Sequence, residues 1–297
     1  TGFMPIGTES APFKGNFDGN NNEIRNIYIN FYKGESYSHY QLRDIGLFGY
    51  ASGSEFKNLT VSGKISGVFS NTNRSSKGYK TYSYYVEKNV GGVIGYLNQG
   101  SIDGVNNKIN LDLNLQPNNT STYGWYVKIN AGGIVGNLIG NISNSSNEGS
   151  VGLSGKNTAV SKAYDGTYEL SNINHIGGIV GNGSNGKYVN LINKGEILLN
   201  VDVESTTNAS EINYVAGIVG WSSGVSIDSA TNEAKVNVNN QSELTHKSTY
   251  TQSSTCSTVM SAGNYIGGIA GYTVEISNSA NKAEIIANIS NTPLYSS

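Results

Sequence analysis

Six copies of one short glycine-rich box constrain this chain more than any other feature. They read IGLFGY from Ile45, GGVIGY from Gly91, GGIVGN from Gly132, GGIVGN from Gly177, AGIVGW from Ala216 and GGIAGY from Gly267. The closing glycines, Gly49, Gly95, Gly136, Gly181, Gly220 and Gly271, lie 46, 41, 45, 39 and 51 residues apart. Self-similarity at such a period marks a repeat architecture, in which each unit buries its apolar side only against its neighbours.

A second pattern follows each box: FKNLTVSGKI (56–65), IDGVNNKINL (102–111), ISNSSNEGSV (142–151), YVNLINKGEI (188–197), IDSATNEAKV (227–236) and ISNSANKAEI (276–285). Its sixth position is Asn107, Asn147, Asn193, Asn232 and Asn281, with Val61 in the first copy. From the second box position to the end of this pattern the distance is 17 to 19 residues. From there to the next box it varies from 20 to 32. The constant half must be stacked, since one inserted residue would turn every side chain to the wrong face. The variable half must leave the stack, where extra length costs little.

Tracts such as EILLNVDVE (196–204) and INLDLNL (109–115) alternate at period two, and no segment carries a capped helical stripe. The expected fold is all-β, a right-handed parallel β-helix (β-solenoid) of about six to seven coils with hairpin or loop excursions. The handedness comes from the crossover rule. Residues 1–44 are expected to form an N-terminal capping coil and first excursion, and 45–297 one continuous six-repeat domain. Within FDGN (17–20) an Asp-Gly turn is expected to end one strand, with Ile24, Ile27 and Ile29 on the next.

The box glycines then have a packing role. A glycine weakens a strand unless a bend or a close approach requires it. That role is expected of Gly46, Gly49, Gly92, Gly95, Gly133, Gly136, Gly178, Gly181, Gly217, Gly220, Gly268 and Gly271. The five asparagines of the second pattern are expected to stack at one turn as an inward ladder of amide hydrogen bonds. A phosphate cradle is excluded, because each box leads into another strand rather than a helix N-terminus.

Composition narrows the function classes. Charged residues are 13 % of the chain and the net charge is −2, with no basic stripe, so nucleic acid is not an expected partner. One cysteine, Cys256, excludes an internal disulfide and a multi-cysteine metal site. There is no run of 18 apolar residues, so no membrane insertion is expected in this segment. The first residues lack a signal-peptide pattern, and the chain reads as a segment of a longer protein.

No catalytic constellation stands out. The histidines are His39, His175 and His246, none paired in HExxH. Sugar cleavage would need paired carboxylates. Asp103 with Asp228 sit at equivalent repeat positions and read as turn formers; Asp202 with Glu204 alternate with valines and should face solvent; Asp112 is the remaining candidate. The chain is expected not to be an enzyme, and to use no cofactor and no metal.

Aromatic residues crowd the variable halves: Tyr79, Tyr82, Tyr84, Tyr85, Tyr123, Trp125, Tyr126, Tyr164 and Tyr168. Similar offsets from the boxes put Tyr84, Tyr126 and Tyr168 near one another. A candidate binding stripe therefore comprises Tyr84, Tyr85, Trp125, Tyr126 and Tyr168, its rings suited to sugar faces or protein contacts. The same rings also fit a cross-strand ladder that covers a hairpin.

The repeats GLFGYASGSEFKNLTVSGKISG (46–67) and GGIVGNLIGNISNSSNEGSV (132–151), with the opening from Pro5 to Asn20, resemble the GLUG motif of bacterial secreted and surface proteins. The usual tyrosine of the motif's second half is missing from several repeats, and residues 182–187 are unusually rich in Gly, Ser and Asn. The resemblance implies a parallel β-helix in an exported protein at the bacterial cell surface. It implies an adhesin-like module or stalk that binds a host glycan or extracellular protein, and a monomer is expected. The alternative it implies is an accessory N-terminal region of a large surface enzyme, such as an IgA1-protease-like metallopeptidase. A polysaccharide-degrading β-helix ranks behind both.

Overall fold

The computed structural model describes residues 2–31, 42–69, 84–116, 125–159, 169–205, 208–247 and 260–296, and there the chain is all-β, with parallel sheets. Each repeat supplies an entry strand before its box and further strands after it. The entry strands Asp44–Ile45, Tyr84–Gly91, Trp125–Gly132, Glu169–Gly177, Asn208–Ala216 and Met260–Gly267 form a six-stranded sheet in repeat order. The others join a fifteen-stranded sheet. Its spine passes from Ala270–Tyr272 through Val219–Asp228, Val180–Asn193 and Val135–Asn147 to Ile94–Leu115. From there it continues through Val151–Ala159, Ile197–Ser205 and Val236–Lys247 to Ile285–Ser296. Pairing runs from each repeat to the next, so equivalent residues share rungs.

Those rungs make the core. Phe56, Ile102, Ile142, Tyr188 and Ile227 stand in register, as do Ile65, Leu111, Val151, Ile197 and Val236, all at most 1 % exposed. Burying each such side chain contributes about 1.5–3 kcal/mol. The Gly-rich segment of the fourth repeat shifts by one residue against the third between Ser184 and Tyr188, and it exchanges side-chain sizes. Where the second and third repeats pair Leu97 with Ile102 and Leu138 with Ile142, the fourth pairs Gly183 with Tyr188. A Cβ on Gly183 would lie 2.3 Å from the tyrosine hydroxyl.

The first repeat is covered by a strand of different sequence. Phe17–Phe31 pairs with Glu55–Phe69, and Ile6 and Phe13 bridge to Phe48 and Ala51. Phe13 and Phe17 pack on Phe48 at 4.9 and 5.3 Å between ring centroids. The expected Asp-Gly turn is corrected here. Residues 17–31 form one continuous strand that bends where Asn20, Asn21 and Asn26 take positive φ and the register shifts. Asp18 caps the bend by accepting from Asn20 N at 2.9 Å, so asparagine absorbs the turn without ending the strand.

The box corner resolves the glycines into separate jobs. A Cβ on Gly95, Gly136, Gly181 or Gly220 would lie 2.4–2.6 Å from a backbone nitrogen of the preceding entry strand. Gly49 and Gly271 face backbone oxygens at 2.7 and 2.5 Å. The second glycine of the box meets something else. At Gly92, Gly133, Gly178, Gly217 and Gly268 a Cβ would come within 2.2–2.4 Å of the ladder asparagine of its own repeat. Gly46 does not belong to that group. The register sets Ile45 against Val90 and Phe48 against Ile94, so Gly46 stands level with Gly91 and the first corner is one residue shorter. Its second glycine is absent, and so is its asparagine, replaced by Val61.

The ladder itself is continuous. Nδ2 of Asn107 donates to Asn147 Oδ1 at 2.7 Å, Asn147 to Asn193 at 2.9 Å, Asn193 to Asn232 at 2.9 Å and Asn232 to Asn281 at 2.8 Å. Each interior amide also grips its own turn. Asn147 donates to Gly149 O at 2.7 Å and accepts from Gly149 N at 3.2 Å, so both donors and both acceptor sites are used. Asn107, Asn147, Asn193 and Asn232 are 0 % exposed, which makes that full accounting necessary.

Candidate functional site

Two columns of side chains flank the box corner on its outer side. The residue two before the first glycine of the box gives Asp44, Asn89, Asn130, His175, Tyr214 and Tyr265. The residue after the closing glycine gives Tyr50, Tyr96, Asn137, Asn182, Trp221 and Tyr272. Strand parity places these positions opposite the core, because their neighbours along the chain point inward.

The first column begins as a hydrogen-bonded file. Asn89 Nδ2 donates to Asp44 Oδ1 at 2.6 Å and Asn130 Nδ2 to Asn89 Oδ1 at 2.7 Å. His175 Nδ1 closes it on Asn130 Oδ1 at 2.8 Å, which places the ring proton on Nδ1. Burial holds His175 neutral, its pKa lowered to about 3, with the Lys128 charge adding to the effect. Burial also raises Asp44 against the pull of Asn89 and Arg43. Inside this end, burial lowers Lys88 to about 8 while its ammonium donates to Leu42 O at 2.6 Å.

Above His175 the columns become aromatic. Tyr214 and Tyr265 stack at 4.7 Å, Trp221 and Tyr272 at 6.0 Å, and His175 lies over Trp221 at 5.6 Å, all within 15° of parallel. Tyr214 meets Tyr272 edge-on at 6.3 Å, joining the two columns. Rings stacked along a ladder offer solvent their edges, hydroxyls and indole, and Tyr265 and Tyr272 are 48 and 49 % exposed. A smaller cluster of the same columns lies at the other end, where Tyr50 and Tyr96 stack at 4.9 Å beneath Arg43. This patch offers apolar ring surface with polar handles, the chemistry of sugar and protein contact.

The aromatic stripe expected from sequence is partly distributed. Tyr84 shares its rung with Trp125, and Tyr85 with Tyr126, so the expected neighbours Tyr84 and Tyr126 fall on consecutive rungs. Leu170 and Ser171 continue these two rungs in the fourth repeat, and Tyr168 lies outside the described residues, as do Tyr79, Tyr82, Tyr123, Tyr164, His39 and Cys256. Counting offsets from the box missed the one-residue difference that the register resolves. The outer columns were overlooked, although their signal stood in the box: its last letter runs Y, Y, N, N, W, Y.

The candidate carboxylates serve turns and ion pairs. Asp103 accepts from Ser143 and Asn144 at 2.7 and 2.8 Å, and Asp228 accepts from Ser277 and Asn278 at 2.7 and 2.8 Å. These are equivalent turns three repeats apart rather than two halves of one site. Asp112 pairs with Lys64 and Glu204 with Lys156, each at 2.8 Å, while Asp202 is exposed. Among the described residues no three His, Cys, Asp or Glu side chains cluster as metal ligands. A shallow trough of about 660 Å³, lined in part by Asn141, Lys187, Ser226 and Glu275, crosses the next corner of the later repeats.

Compared with protein-family models, curated proteins and solved structures, the chain matches none.

Proposed function

We propose that this chain is a non-catalytic, adhesin-like β-solenoid module of the GLUG-repeat kind, right-handed and exported to the bacterial cell surface. In this reading it holds variable segments and an aromatic patch toward a host glycan or extracellular protein. The observation that carries the reading is the common level of the entry strands. Tyr84, Trp125, Leu170, Ala209 and Met260 share one rung. The described entry strands of repeats two to six therefore align at one level of the stack. A stack whose constant half is fixed by packing and whose variable half returns to one level suits presentation rather than turnover. The partly buried Tyr214 and Trp221 and the exposed Tyr265 and Tyr272 add contact surface beside it.

The test is a binding screen of the 297-residue chain against glycans and extracellular-matrix proteins. Saturable binding that weakens at least tenfold in Trp221→Ala with Tyr272→Ala supports the patch as the contact. Binding lost instead in Tyr85→Ala with Tyr126→Ala moves the contact to the entry rung. No binding across the screen, or turnover of a polysaccharide that disappears in a carboxylate variant, overturns the proposal.

A further inference from the structure

The inner face of the entry strands is apolar in the third repeat and turns polar in the fourth. Val127 and Ile129 are succeeded on their rungs by Asn172 and Asn174, both 0 % exposed. Asn174 Nδ2 donates to Asn213 Oδ1 at 2.8 Å, but Asn174 Oδ1 has no protein partner, and Asn172 has none at either amide atom. A buried amide open at both ends is uncommon, because each missing partner costs about what a hydrogen bond is worth.

The fifth repeat displays how such a pair can close. Residues two apart on a strand set their side chains on one face about 6.6 Å apart. Glu211 and Asn213 bridge that span directly, Asn213 Nδ2 donating to Glu211 Oε1 at 3.0 Å, because glutamate is one methylene longer than asparagine. Asn240 Nδ2 reaches the same oxygen at 2.8 Å, and Ser242 Oγ donates to Glu211 Oε2. Asn172 and Asn174, two apart on the same face, make no such contact with each other.

We propose that Asn172 and Asn174 hold an ordered internal water in the core of the fourth repeat. The ligand class follows from the donors and acceptors. Asn172 leaves an N–H donor and a carbonyl open and Asn174 a carbonyl, and water can both accept from Asn172 Nδ2 and donate to Asn174 Oδ1. A metal ion or ammonium ion could meet only the two carbonyls and would leave Asn172 Nδ2 unpaired, and an apolar molecule can meet neither kind of group. The water extends the hydrogen-bonded run of the fifth repeat, from Glu211 through Asn213 and Asn174, to Asn172.

A crystal structure of the whole chain at a resolution that shows ordered water tests this. The expected result is a peak within about 2.6–3.2 Å of both Asn172 Nδ2 and Asn174 Oδ1. In solution, nuclear Overhauser cross peaks from a long-lived water to the Asn172 side-chain amide hydrogens should accompany it. Asn172→Val, which repeats the residue on the preceding rung, should lose the peak. Should that variant fail to fold, the two wild-type readouts decide alone. A direct hydrogen bond from Asn172 to Asn174 or Glu211 with nothing between them overturns the proposal. So does a peak that gains anomalous signal on soaking with rubidium, which would mark a cation.

Discussion

The first box corner and the five that follow it solve the same packing problem with different residues. Repeats two to six use a second glycine and a ladder asparagine, buried in repeats two to five; the first repeat uses neither, and Leu47 and Val61 fill its shorter corner at 4 and 0 % exposure. The difference shows that the glycine and the asparagine are one device. The glycine vacates the space that the amide occupies, and the amide then joins its own turn to the next repeat. Where the corner loses a residue, both partners go together and an aliphatic contact takes over.

The largest effect should come from filling the vacated space in mid-stack. Gly133→Ala puts a methyl 2.1 Å from Gly178 O and 2.4 Å from Asn147 Cγ. A loss on the order of 3 kcal/mol or more is expected in urea unfolding. Asn193→Ala should follow, at about 2–3 kcal/mol. It removes four hydrogen bonds and strands the buried Asn147 amide and Gly195 N–H. The same change at the exposed end, Asn281→Ala, should cost only about 0.5–1 kcal/mol. Equal losses at both positions would mean that the ladder does not depend on burial.

The outer column provides a pH test of comparable size. His175 has a folded pKa of about 3, below its unfolded value, so the unfolded chain binds the extra proton first. Stability should fall as pH drops from about 6.5 toward 3, by on the order of 2–4 kcal/mol. His175→Asn, which restores the residue type of Asn89 and Asn130, should flatten that slope. Thermal melts across the range read both chains.

The most discriminating change is in the first corner. Val61→Asn places an amide where no second glycine leaves room, and should cost about 1–3 kcal/mol. Adding one glycine after Gly46 in the same variant should recover part of that loss. If the insertion deepens it, the shorter corner is held by other constraints.

Much of this was legible in the sequence because it repeats. The boxes, the constant spacing and the asparagine at one pattern position are set by contacts each repeat makes with an equivalent residue, so periodicity records them. The alignment of Gly46 with the second glycines failed because spacing to the closing glycine hides a deletion within the corner. The aromatic pairing failed for a similar reason: a rung is fixed by backbone register, and one residue separates Tyr84–Trp125 from Tyr85–Tyr126. Glu211 escapes a periodicity reading because a polar interior in the fourth and fifth repeats breaks the pattern instead of following it. Its parity with buried Val215 was the available signal. Burial raises its carboxyl above the usual range despite hydrogen bonds from Ser242, Asn213 and Asn240.

A double-mutant cycle on Gly217→Ala and Asn232→Ala tests the glycine–asparagine device most directly, since Asn232 Cγ is the nearest atom to a Cβ on Gly217, at 2.2 Å. The expected result is that the double variant loses less than the two single losses combined, by about 1 kcal/mol or more. Losses that add to within about 0.5 kcal/mol would contradict the account.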